Sequence, residues 1–150
     1  MVPDEPAENL PQALGSMRFR VQPGRFALVG FPDPPGPRDW AALGDGPGQL
    51  VREGGETILL VPEAATAALA EDHPAAAFER NLVWIRFEAP MSWEVVGFLA
   101  LVTGRLAAAG ISIGAVCGYS RDHLFLDAAH LPAALAVLRE LFPESSRPDA

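Results

Sequence analysis

The chain has a single cysteine, Cys117, so no intrachain disulfide can form, and that usage suits a reducing cytoplasm. Basic residues are also scarce: 11 against 19 acidic ones give a formal charge of −8. A nucleic-acid or anionic-membrane partner needs a basic footprint, and this balance argues against both. No apolar run approaches the roughly 18 residues that suggest a membrane span. The start, Met1-Val2-Pro3-Asp4-Glu5-Pro6, lacks the basic and apolar regions of a signal peptide. Together these shortages predict a soluble, cytoplasmic protein.

The patterns of catalysis are missing too. His73, His123 and His130 show no metal-ligand spacing with carboxylates or with Cys117. Gly44-Asp45-Gly46-Pro47-Gly48 lacks the Lys-Ser/Thr ending of a phosphate loop and reads as a plain loop. No paired carboxylates and no Ser/His/Asp grouping stand out. A lone cysteine on a strand is most often a small buried hydrophobe. The expectation is no enzyme, no metal and no cofactor.

What the chain does have is apolar material: 49% of its 150 residues are hydrophobic, enough for one ordinary domain or two very small ones. Residues 1–14 and 143–150 are aperiodic and read as mobile tails. Between them lie an N-terminal unit, 15–75, and a C-terminal unit, 80–142. In the first, Met17 to Val21 and Arg25 to Gly30 are strand candidates around Gln22-Pro23-Gly24, a turn signal. A proline-rich stretch, Phe31 to Pro37, leads to one helical turn over Arg38 to Leu43. Gln49 to Arg52 and Glu56 to Val61 flank Gly54-Gly55, a dipeptide suited to a two-residue hairpin turn. Pro62 then opens a helix that ends at His73-Pro74.

The second unit repeats the order. Leu82 to Glu88 is β-rich, Val95 to Ala109 reads as a helix stopped by Gly110, and Ile111 to Tyr119 is a second strand. Ser120 to His123 turns into Leu124 to Leu126, and Pro132 to Phe142 closes the unit as a helix. Each unit thus shows five of the six elements of a ferredoxin-like βαββαβ fold, with no obvious last strand. The predicted class is α+β, two tandem ferredoxin-like units. A missing strand leaves an unpaired edge, which strand exchange between units or edge-to-edge dimerisation would cover. Met17 to Val21 is the candidate for the exchanged strand.

The Val95–Ala109 helix is apolar nearly all round, which predicts packing on its sheet and on another helix, from the other half or another subunit. Ser92 is placed to cap it, with Met91 and Val96 as a hydrophobic staple. Gly97 sits about one turn in. Read alone, it fits close helix–sheet packing, and it equally fits the approach of a ligand to free helix amides. Trp40, Trp84 and Trp93 read as core or interface anchors, with Trp93 also placed to wall a pocket.

With Trp84-Ile85-Arg86-Phe87-Glu88, the loop to Gly97, Leu106-Ala107-Ala108-Ala109-Gly110-Ile111-Ser112-Ile113 and Tyr119 to Leu126 in hand, the chain resembles the ACT domain. More narrowly, it is similar to small stand-alone bacterial proteins with two ACT-like units, relatives of aspartate kinase regulatory domains and of cytosolic arginine sensors. The resemblance implies amino-acid binding at interfaces between such units. It implies contacts from Met91, Ser92, Trp93 and Gly97 on one loop, and from Cys117, Gly118, Tyr119 and Asp122 at the second strand's end. Asp122 would hold the ligand ammonium, although it is also an ordinary turn residue. Cys117 and Gly118 stand where hydroxyl residues are common in the family, and Ser120-Arg121 replaces an acidic-polar pair. The expected function is a free amino-acid sensor, with a homodimer as its assembly. The alternative is a ligand-free association module that dimerises or docks on an enzyme.

Overall fold

The computed structural model describes residues 5–146. The outermost parts of both expected tails, 1–4 and 147–150, lie outside the described residues. The chain divides into two units: Pro23–Val83, and the segment up to Gln22 together with everything from Trp84 onward. The division falls inside one long strand.

The N-terminal unit runs β2 (Phe26–Phe31), α2 (Pro37–Ala42), β3 (Gln49–Glu53), β4 (Glu56–Pro62) and α3 (Thr66–Asp72), then the first part of β5 (Ala77–Phe87). β2 lies between β4 and β5, antiparallel to both, and β3 flanks β4. This is a complete βαββαβ order. The sixth element missing from the sequence reading is the Ala77–Leu82 part of β5, which pairs with β2. Ala27, Val29 and Phe31 alternate along β2 and pack with Leu59, Val61 and Leu69, as the two-residue period of a strand requires. Gly54 and Gly55 have φ of +50° and +82°, the conformation expected for their hairpin. A register shift in the β2–β5 pairing accompanies the positive φ of Asn81, +60°.

In the other unit, the remainder of β5 is followed by α4 (Phe98–Ala108), β6 (Gly114–Cys117), β7 (Asp122–Asp127) and α5 (Leu131–Leu141). Its sixth element comes from the opposite end of the chain. β1 (Phe19–Val21) pairs antiparallel with β5, Phe19 opposite Phe87 and Val21 opposite Ile85. The exchanged strand is therefore the one that Met17 to Val21 suggested. Phe87, Phe98 and Phe142 form an aromatic cluster with ring centroids 5.1–5.9 Å apart, and each ring is almost fully buried.

The structure corrects several expectations. Residues 10–14, read as tail, belong to α1 (Leu10–Ser16), capped by Asn9 Oδ1, which accepts from the Gln12 amide at 3.1 Å. Ala13 and Met17 are buried, so this segment is part of the core. The neighbours of α4 in its own unit are α1 and α5, which accounts for its apolar character. α4 begins at Phe98, three residues later than the sequence suggested, and Gly97 is its N-cap. Ser92 does not cap the helix. Its hydroxyl accepts from the Glu94 amide and its carbonyl from the Val95 amide, which makes a turn before the helix.

The far end of α4 follows the sequence closely. Gly110, at φ +73°, lets the Ile111 amide donate to Leu106 O at 3.0 Å, closing the helix in a Schellman turn. Leu106 and Ile111 are both buried behind it.

Candidate functional site

Two loops of the C-terminal unit come together at the start of α4. The first carries β5 into the helix. The second is the β6–β7 turn, closed by the Gly118 amide donating to Arg121 O at 2.8 Å. A Cβ on Gly118 would lie 2.8 Å from that same carbonyl oxygen, so the turn depends on glycine at this position. Met91 N–H donates to Ser120 O at 2.8 Å and Arg121 Nε to Glu88 O at 2.7 Å, fastening one loop to the other. On its far side the first loop pairs with Ala7. The Ala7 amide donates to Pro90 O at 3.0 Å and the Ser92 amide to Ala7 O at 2.9 Å.

Between the loops lies a cavity of about 320 Å³. All eight residues named from the sequence line it: Met91, Ser92, Trp93 and Gly97 from the first loop, and Cys117, Gly118, Tyr119 and Asp122 from the second. The wall also includes Val95, Phe98, Leu99, Ala100, Ser120 and Arg121, which were not named as site residues. Val95, Phe98 and Leu99 had been read as helix body, and their apolar side chains carry no signal that separates a pocket wall from a core.

Gly97 earns its place through its backbone. Its φ of +93° lies in the region that L side chains rarely adopt. An added Cβ would meet only Leu10 Cδ2, at an ordinary 3.5 Å. The expectation that the missing side chain opens the hollow is therefore replaced: glycine is needed for the turn into α4. That turn leaves the helix start bare. The first intrahelical bond runs from Leu101 N–H to Gly97 O at 2.9 Å, and no side chain caps the helix. Phe98, Leu99 and Ala100, whose amides precede that bond, all line the cavity. Free amides at the positive end of a helix dipole favour a carboxylate.

The acidic group of the site is Asp122. Its carboxyl is pushed above the usual range by burial, an effect partly offset by a hydrogen bond from the Cys117 thiol. Burial and the neighbouring carboxylate in turn push that thiol up. Cys117 is thus a protonated thiol at neutral pH, the opposite of an activated nucleophile. Nearby, Arg86 grips Glu88 with two hydrogen bonds of 2.9 and 2.8 Å, and this pairing lowers the Glu88 pKa. Trp93 and Tyr119 stand almost wholly exposed at the mouth, 89% and 102%, with Val96 at 82% beside them. Among the described residues, no group of three His, Cys, Asp or Glu side chains is arranged to hold a metal ion. No helix among them is long and apolar enough to cross a membrane.

The ferredoxin-like order of this unit agrees with the comparisons to known proteins. The sequence model of the ACT domain matches residues 77–140, from the start of β5 into α5. Among solved structures, a protein from Agobacterium tumefaciens is 16% identical with a TM-score of 0.70, over 83% of this chain and 88% of that one. A protein of unknown function from Vibrio cholerae, titled a possible transport protein, is 24% identical with a TM-score of 0.64, over 85% and 91%. The regulatory subunit of aspartate kinase from Thermus thermophilus, in its ligand-free form, is 14% identical with a TM-score of 0.59, over 83% and 97%. At these identities the likeness is one of fold. No curated protein matches the sequence. The ACT-domain resemblance read from the sequence is thereby shown, by sequence over 77–140 and by fold over most of the chain.

Proposed function

We propose that this chain is a regulatory protein that senses a free amino acid, bound in the cavity at the start of α4. One observation carries the reading: the carboxylate-seeking end of an uncapped helix and a lone acidic side chain line the same 320 Å³ hollow. The amides of Phe98, Leu99 and Ala100 receive the α-carboxylate. Asp122 and backbone carbonyls near Cys117–Tyr119 receive the α-ammonium. Apolar walls from Val95, Phe98 and Leu99 take up the ligand's side chain. The reading is one of recognition without chemistry, in line with a protonated Cys117. Occupancy acts by shifting populations between interface arrangements of a homodimer. The exposed Trp93 and Tyr119 on the cavity wall, with the exposed Val96, support a surface that a second copy covers.

The test is thermal denaturation in the presence of each of the twenty amino acids. A ligand that binds only the folded protein must raise the melting temperature, by mass action. At least one amino acid is expected to do so at millimolar concentration, with the shift lost in Asp122→Ala. A flat screen sinks the sensor reading. The same exposed apolar residues would then favour a ligand-free association module. A charge at Val96, which is exposed, should then break that association.

A further inference from the structure

In the N-terminal unit, one histidine is boxed by two carboxylates. His73 is the residue that ends α3, its amide donating to Leu69 O at 2.9 Å. Its Nε2 lies 2.8 Å from Asp39 Oδ1 on α2 and its Nδ1 lies 3.5 Å from Asp33 Oδ2 on the preceding loop. A neutral imidazole donates from one nitrogen only, whereas the imidazolium donates from both, so this geometry fits the charged form. The ring stacks on Phe31 at 3.7 Å between centroids and 11° between planes, and the side chain is 10% exposed. Asp39, also buried, uses its second oxygen to accept from the Gly36 amide at 2.8 Å. One imidazole thus ties the end of α3 to both sides of the Pro32–Gly36 loop.

We propose that His73 is a proton-operated latch: charged, it locks the Pro32–Gly36 loop and the C-terminal end of α3 together, and on losing its proton it frees them. Burial disfavours the charged ring, but the hydrogen bonds and charges of Asp39 and Asp33 outweigh it and raise the His73 pKa above 6.5. A group whose folded pKa is raised contributes its full stabilisation below the unfolded value, and that contribution disappears as pH rises through the folded one. The latch is therefore shut at mildly acidic pH and opens on the alkaline side of 6.5. Other charged side chains on the surrounding elements have partners of their own. Arg38 of α2 pairs with Asp72 of α3 at 2.8 Å, and Arg52 of β3 donates to the Asp33 carbonyl at 3.2 Å. Once neutral, His73 can satisfy only one of its two carboxylates. The other is left buried or loop-bound without a counter-charge.

The 150-residue chain is titrated while the three histidine ring signals are followed by NMR, together with the exchange protection factors of the Gly36 and His73 amides. His73 is expected to titrate above 6.5, and both protection factors should fall through the same midpoint. In Asp33→Asn, a milder change at a side chain 67% exposed, the midpoint should move down while the fold persists. In His73→Gln the pH dependence of protection should vanish. A His73 midpoint at or below 6.5, protection that stays level across the midpoint, or an unchanged pH response in His73→Gln would each overturn the latch. The outcome is independent of whether an amino acid binds in the other unit.

Discussion

The two units share a strand–helix order, and at the loop from first strand to first helix one holds a cavity and the other a histidine between two carboxylates. In the N-terminal unit the crossing from β2 to α2 is short and proline-rich. Its polar groups are consumed internally: Asp39 takes the Gly36 amide, while Arg52 and the Thr57 hydroxyl take the Asp33 carbonyl. In the C-terminal unit the crossing is longer, Glu88 to Gly97, and its helix starts uncapped beside a hollow. A helix end that satisfies its own amides has nothing left to offer a ligand; one that does not must turn to water or to a guest. The same fold therefore builds two different loops at this crossing, and a few residues make the difference.

The largest expected effect concerns the core beneath the receptive loop. Phe87→Ala removes the hub of the Phe87–Phe98–Phe142 cluster and is expected to cost about 3–5 kcal/mol in urea denaturation. Next comes the lock itself. Asp39→Ala leaves the Gly36 amide and a buried imidazole unsatisfied, and is expected to cost about 1–3 kcal/mol by the same measurement.

A matched glycine pair follows. Gly97→Ala forces a Cβ into positive φ, for about 1–2 kcal/mol, and should also weaken any ligand-induced thermal shift. Its counterpart Gly36 has φ −102°, so Gly36→Ala should cost less than about 1 kcal/mol. Equal costs at the two positions would remove the conformational distinction between the loops.

The smallest effect on stability, and the most specific, is expected at Asp122. Its carboxyl is held above the ordinary value by burial, so the ionised form is disfavoured in the folded protein. Asp122→Asn should leave denaturation nearly unchanged. The ammonium requires ionised Asp122, so amino-acid affinity should fall as the pH is lowered through the raised pKa. Calorimetric titration across the acid range should show that decline in the parent chain and no comparable step in Asp122→Asn.

Much of this was legible in the residues because the relevant physics is local. Gly54-Gly55 announced a hairpin, Gly110 a helix stop, and Arg25 to Gly30 a strand, which the structure carries on to Phe31. The eight residues that the family resemblance pointed to line one cavity, since the loops that carry them flank recognisable strands. Local pattern failed where distant chain decided the structure. The polar Glu79-Arg80-Asn81 hides the fact that β5 runs unbroken from Ala77, because its partner β2 supplies the reason for extension. Residues 1–14 read as tail because nothing local shows the surface that buries Ala13 and Met17. At the entry to α4, Ser92 has the better capping chemistry, yet tertiary ties from Ala7 and Ser120 hold the loop and shift the helix start to Gly97.

A titration of the ¹⁵N-labelled chain with the amino acid that most raises its melting temperature probes the hollow residue by residue. Amide shifts are predicted to concentrate at Phe98, Leu99, Ala100 and Gly118 and to saturate together, while Gly36 and its neighbours stay still. Saturable shifts confined to the Pro32–Gly36 loop, or none at the start of α4, would contradict the assignment of that helix end as the ligand's seat.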